Sequence, residues 1–361
     1  MANTNLQAHN SRIRVANVSS LTRYPIRGRL MLRRSIISIA GALLLTTPRA
    51  GRAQSPEKQK AHIGILVGGS QAQRGHLEQA LLQGLRDQGY VEGKNLVLER
   101  RYADGRDDRT PEFARELAAM KLDAVVTTCT PTTRAAQQAV GSTPIIMAAV
   151  ADPVGQHLIA SLARPGANLT GLSSQAEDIM PKMLELFASI QPRPTKVAVL
   201  ADTRSDVHPR MWQALGAAAQ TLKVRLVKVD AGKPADVQLP AAFEAAVREK
   251  ADSIFVLPDE PLFLTRRTEI VVLAAKHRLP AFYGAREFVD DGGLMSYGEN
   301  LRTAYRNAAS YIKQVVHGAT PGDMPVAQPT KFELVINLKT AKAMGLTIPQ
   351  SVLFQATEVL E

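Results

Sequence analysis

The chain has 361 residues, 45% hydrophobic and 21% charged, which is ordinary for a globular protein and long enough for two domains. Its formal charge of +11 invites a nucleic-acid or membrane-surface partner, but nine arginines and no acid lie in residues 1–53, leaving +2 for residues 54–361. No nucleic-acid partner is therefore expected, and a single cysteine, Cys129, excludes an intramolecular disulfide and a cysteine metal cluster.

Arg33 and Arg34 precede an apolar run, Ser35 to Leu45, of signal-peptide length and too short to span a bilayer comfortably. Gly51-Arg52-Ala53 puts small residues at both specificity positions of a signal-peptidase site, so cleavage is expected after Ala53. The other reading of this run is an uncleaved anchor. The arginine pair also fits a twin-arginine signal, and the two export routes stay open. Met31 is a second plausible start, which would make residues 1–30 an extension ahead of a complete signal peptide. No cysteine follows the cleavage site, so no lipid anchor is expected there, and the mature chain is expected to be soluble and periplasmic.

From residue 61 onward strands and helices alternate. His62-Ile-Gly-Ile-Leu-Val-Gly68 reads as a short apolar strand, followed by Leu77, Ala80, Leu81, Gly84 and Leu85 at helical spacing, with Gly89 closing the helix. Asn95 to Glu99 alternates as a strand. Asp123 to Thr128 and Pro144 to Val150 are buried strand candidates on either side of a helix containing Ala135 to Ala139. Lys196 to Asp202 then restarts the pattern. "KADSIFVLPDEP" (250–261) parallels "KLDAVVTTCTP" (121–131), and Leu279 to Tyr283 parallels Thr143 to Met147. Continuous apolar strands alternating with helices, repeated at one nearly constant offset, predict two similar α/β lobes, each a doubly wound parallel sheet.

In such sheets ligands meet the carboxyl ends of the strands. The polar residues predicted there are Gly69, Ser70, Thr130, Thr132 and Asp152 in the first half, and Asp202, Ser205, Asp259, Tyr283 and Arg286 in the second. Each also has a plainer reading. Asp152 before Pro153 suits the cap of a helix starting at Val154, Asp259 has the same ambiguity, Gly68-Gly69 suits a tight turn, and Arg286 a surface charge. Cys129, at the end of an apolar run, reads as a buried inert thiol. The acidic pairs Asp107-Asp108 and Asp290-Asp291 read as solvated turns. No dinucleotide fingerprint, phosphate loop, nucleophile elbow or zinc spacing is present, so no enzyme activity, cofactor or metal is expected.

"EGKNLVLERRYADG", "ADPVGQHLIASLARPGANLTGLS", "RLPAFYGAREFVDDGGLMSYGENL" and "QPTKFELVINLKTAKAMGLTIP" resemble the ABC-transporter substrate-binding family that includes the tryptophan/tyrosine-type binding proteins. The resemblance runs over residues 61–361. It implies a type I periplasmic-binding-protein fold, with lobe 1 formed by residues 61–172 plus 299–328 and lobe 2 by 173–298 plus 329–361. The three crossings are expected near 170–174, 297–300 and 327–331. It also implies a small solute held between the lobes, a membrane permease and ATPase as partners, and a monomer. Two other readings, a sensing domain for a receptor and an exported α/β enzyme, share the architecture. For an amino-acid-like solute, Asp152 or Asp259 would pair with the ammonium and Arg286 or Arg134 with the carboxylate, beside Tyr283 and Phe263. A small organic acid or amide is the other ligand class.

Overall fold

The computed structural model describes residues 60–233, 236–258 and 261–361. The expected signal peptide, residues 1–53, and Asp259 lie outside the described residues.

The first sheet uses β1 (Ala61–Val67), β2 (Leu96–Tyr102), β3 (Ala124–Thr127), β4 (Ile145–Ala151) and β5 (Leu169–Ser174), with α1 (Gln71–Asp87), α2 (Thr110–Ala118) and α3 (Thr130–Ala139) between them. All pairings are parallel, in the order β2-β1-β3-β4-β5. Every residue of β4 is buried, which is why this strand reads as one apolar run and not an alternation. Ile63, Ile146 and Ala148 face one layer with Leu77 and Leu81 of α1, while Leu66, Ile145 and Met147 face the other with Ala114 and Leu117 of α2. Full burial of each leucine, isoleucine or methionine side chain here contributes about 1.5–3 kcal/mol.

The chain then passes into α4 (Met180–Phe187) and a second sheet. Its elements are β6 (Lys196–Ala201), α5 (His208–Leu222), β7 (Arg225–Asp230), the ribbon β8 (Gly232–Lys233) and β9 (Asp236–Val237), and α6 (Leu239–Arg248). They continue with β10 (Ser253–Val256), α7 (Pro261–Thr265), α8 (Arg267–Lys276), β11 (Ala281–Tyr283), α9 (Arg286–Asp290) and β12 (Met295–Glu299). The strand order β7-β6-β10-β11-β12 repeats the topology of the first sheet. The two halves are thus two doubly wound α/β lobes of one plan.

After β12 the chain returns to the first lobe as α10 (Leu301–Val316). Asn300 caps it by accepting from Thr303 N at 3.0 Å, and Ala308, Ala309 and Ile312 pack among Leu77, Leu81 and Leu85 of α1. Ala327 bridges Leu172 of the first sheet, and the chain crosses once more into β13 (Phe332–Asn337), α11 (Leu338–Ala343), α12 (Gln350–Leu353) and β14 (Glu358–Leu360). Three crossings therefore join the lobes, after Ser174, after Glu299 and after Ala327. The second sheet is not wholly parallel: β13 runs antiparallel to β12, because it enters from the other lobe.

The segment after β4 differs from the expected helix. Asp152 has φ +41, and Gln156 N and Leu158 N bond back to Asp152 O and Pro153 O at 2.9 Å. His157, at φ +55, ends this single turn before a helix can propagate.

Candidate functional site

A cavity of about 780 Å³, including its open mouth, lies between the lobes beyond the carboxyl ends of the strands. Apolar groups dominate it. Phe263, Phe288 and Phe332, with Pro258, Leu264 and Ile179, line the wall from the second lobe. From the first lobe come Thr128, Cys129 and Ala149, together with Arg74 on the first turns of α1 and Tyr305 on α10. The first two crossings contribute Ser174, Gln175 and Glu299.

The polar groups are unusual for what they lack. Arg74 is 7% exposed, and its Nε has no hydrogen-bond partner. The Tyr305 hydroxyl and Ser174 Oγ are also buried without a partner. Tyr305 lies beside Arg74 and Thr128 with no well-formed bond to either, and burial raises its phenol above the ordinary range. Buried donors left unsatisfied are costly in a protein interior, and these three belong to residues that line one cavity. Arg74 and Glu299 give the lining one charge of each sign. The Cys129 thiol is pushed up to about 12, first by burial and then by the charge of Asp107, so it stays protonated.

Gly298 of β12 makes room at the crossing, where a Cβ would overlap the carbonyl of Gly284. This close approach sets Glu299 beside Gly284 and Ala285 on the cavity wall.

The residues read from the sequence take other positions. Ser70 caps α1, accepting from Gln73 N at 3.3 Å. Gly69 lies behind Arg74, and a side chain there would crowd that arginine. Thr132 closes the start of α3 by accepting from Thr128 N at 3.1 Å and Cys129 N at 3.2 Å. Thr130 Oγ1 is buried and without a partner, but it does not line the cavity. Asp202 is gripped by Arg204, whose Nε lies 2.9 Å away, and Ser205 N turns back onto Asp202 O at 3.2 Å. Tyr283 is 1% exposed and stacked on Phe288 with centroids 4.6 Å apart, so it belongs to the core. Arg286 turns to Asp290 and Glu358 and is not aimed at the cleft. Arg134 bonds Gln156 and Asp206 at 3.2 Å. Asp152 accepts at Oδ1 from Gly155 N at 2.9 Å and at Oδ2 from Arg210 of the second lobe. Of the described residues anticipated for the solute, Phe263 is the one on the wall. Arg74, Ser174, Glu299 and Tyr305, which line the cavity, were not anticipated. The available signal was position: Arg74 follows the Gly68-Gly69-Ser70 tip by one helical turn, and Ser174 and Glu299 stand where the chain changes lobes.

A family model described as ABC transporter substrate binding protein matches residues 62–360. A curated tyrosine-binding protein of Clostridioides difficile (strain R20291) is 26% identical over 293 residues, covering 81% of this chain and 83% of that protein. A solved conserved domain protein from Vibrio cholerae is 30% identical with a TM-score of 0.76, covering 83% of this chain and 100% of that one. An ABC domain from Streptococcus pneumonia, in complex with L-Trp, is 26% identical with a TM-score of 0.76, covering 84% of this chain and 100% of that one. With the family match running from β1 to β14 over two lobes that enclose a cavity, the chain belongs to the ABC transporter substrate binding protein family, whose members bind a small solute for an ABC transporter.

Proposed function

We propose that the solute is an amino acid with an aromatic side chain, bound as a zwitterion between the lobes. The observation that carries this reading is Arg74, a buried arginine whose Nε has no partner, on the lining of a cavity that also carries Phe263, Phe288 and Phe332. Its carboxylate partner would come from the solute, helped by the Tyr305 hydroxyl and Ser174 Oγ. Glu299, the acid on the same wall, supplies the opposite charge for an ammonium. Phe263, Phe288 and Phe332 supply faces and edges for a ring. The C. difficile relative named for tyrosine and the Streptococcus structure holding L-Trp support the same class.

On this reading the protein acts by binding and release, not by catalysis. Residues 1–53 serve as an export signal cleaved after Ala53, and the mature monomer works in the periplasm. The lobes, divided near residues 172, 298 and 328, hinge at the three crossings and present the closed form to a permease driven by an ATPase. The site proposed here is Arg74, Thr128, Ser174, Glu299 and Tyr305 with the three phenylalanines.

Calorimetric titration tests the solute class. L-Tryptophan, L-tyrosine and L-phenylalanine are expected to bind. Tryptamine, lacking the carboxylate, and indole-3-propionate, lacking the ammonium, should each bind at least tenfold more weakly, the scale of one lost charge-assisted bond. Binding of tryptamine as tight as L-tryptophan would sink the assignment of Arg74.

A further inference from the structure

Asp152 and Arg210 meet across the two lobes, from the turn after β4 and from the first turn of α5. Neither lines the cavity. The carboxylate is nearly buried, with its side chain 11% exposed, while the Arg210 side chain is 53% exposed and closes over it from outside. The turn holds the carboxylate in place. Gly155 N donates to Oδ1 at 2.9 Å, which leaves Oδ2 for the guanidinium. Gly155 leaves room for the pair, because a Cβ there would meet both Arg210 Nη1 and the Asp152 carboxylate and force these side chains to shift. Asp152 itself sits at φ +41, a left-handed conformation that costs free energy and points to a constraint. The same flank carries further contacts between lobes: Arg134 Nη2 to Asp206 Oδ2 at 3.2 Å and Gln156 Nε2 to Asp206 O at 3.0 Å.

We propose that the Asp152-Pro153-Val154-Gly155 turn and Arg210 form a latch that holds the lobes closed without touching the solute. The Asp is the bolt, the glycine amide fixes its rotamer, and the missing side chain at Gly155 is the slot that admits the guanidinium. Opening the lobes breaks the pair and returns both charges to water. A closed state favoured by the latch raises apparent affinity in proportion to its population, and its loss appears in the rate of solute release. Asp152 and Arg210 are therefore positioning residues.

The proposal builds on the solute reading above, and its test separates the two. Exposed Glu112 of the first lobe and Glu244 of the second are replaced by cysteine and spin-labelled, the buried Cys129 being unreactive. Distance distributions between the labels are measured without solute in the parent protein, Arg210→Met, Asp152→Asn, Gly155→Ala and the Arg210→Met/Asp152→Asn pair. Asn keeps the bond from Gly155 N and tolerates the left-handed backbone, so the turn survives. The parent should show a short-distance population, reduced alike in all three single variants and no further in the double. In titration with L-tryptophan the single variants should each bind about tenfold more weakly through faster release, again without additivity. If L-tryptophan and L-tyrosine fail to bind the parent, the solute reading fails while the distances still report the latch. A parent with no short-distance population overturns the latch, as do distances that the variants leave unchanged. A loss of affinity in Asp152→Asn that Arg210→Met does not share overturns it too, since the carboxylate would then be touching the solute.

Discussion

His76 of α1 faces Glu287 of α9 across the lobes, Nε2 to Oε1 at 3.0 Å, on a carboxylate whose residue is 4% exposed. Burial alone would raise the Glu287 pKa. The bond from His76, a backbone amide and the charges of His76 and Arg74 outweigh burial and hold it below the ordinary glutamate value. A carboxyl lowered in this way contributes stability above its unfolded pKa and loses it as pH falls through the folded one. Glu287→Gln should therefore lower the melting temperature at pH 7 by about 2–4 °C, and the difference should shrink as pH falls below the ordinary glutamate range. Equal melting at pH 7 would show that the contact contributes nothing.

Arg74 is expected to divide binding from stability. Arg74→Met keeps the aliphatic stem and removes the fork, so L-tryptophan should bind about a hundredfold more weakly. The fold should be unharmed or gain about 1 kcal/mol, because a buried cation with an unsatisfied Nε is removed. Calorimetry and thermal melts on the same preparation give both numbers, and unchanged affinity would exclude Arg74 from the site.

Glu177, in the crossing between β5 and α4, and Asp107, near Asp202 and Arg204 of the other lobe, respond in the opposite sense to Glu287. Burial pushes Glu177 up to about 7, and burial pushes Asp107 up to about 6. Each binds more protons folded than unfolded, so each costs stability as pH rises from about 4 to its folded value. Glu177→Gln should raise the melting temperature at pH 8 and leave it unchanged at pH 4. A variant that melts like the parent at pH 8 would mean the carboxyl ionises without penalty.

Gly298→Ala places a methyl against the Gly284 carbonyl. The strand can accommodate it only by shifting, at a cost of about 1–3 kcal/mol. Because Glu299 follows directly, solute affinity should fall with stability, whereas Gly93→Ala, strained at φ +82 in a distant turn, should cost stability and leave affinity alone. Denaturant melts and titration on the two variants make the comparison.

Much of the architecture was legible in the residue order. Fully buried runs such as Ile145–Ala151 can only be interior parallel strands when helical segments of 3.6-residue period separate them. The recurrence of that pattern reports two lobes of equal topology, and the carboxyl ends of their strands point to where a solute would bind. The antiparallel β12–β13 pair was not legible, because its partner strand arrives only after the chain has visited the other lobe.

The side-chain assignments show where that reasoning stops. A carboxylate at a strand tip is visible in "AVADPVG", but its partner is Arg210, 58 residues away on the other lobe. Spacing cannot distinguish that arginine from a solute ammonium, since both satisfy the same oxygen. Tyr283 and Arg286 were likewise at a tip by position, yet the pleat sends Tyr283 into the core against Phe288, and Arg286 finds two acids at the edge of the sheet. Conversely Arg74 and Tyr305 belong to helices from opposite ends of the first lobe's sequence, and only the packing of α1 against α10 turns both into one cavity. Local periodicity thus determined the elements, their order and the end of the sheet that carries the site. Long-range packing alone decided which polar groups were consumed by one another and which were left unpaired on the cavity wall, because a hydrogen bond depends on a few tenths of an ångström between residues that the sequence sets far apart.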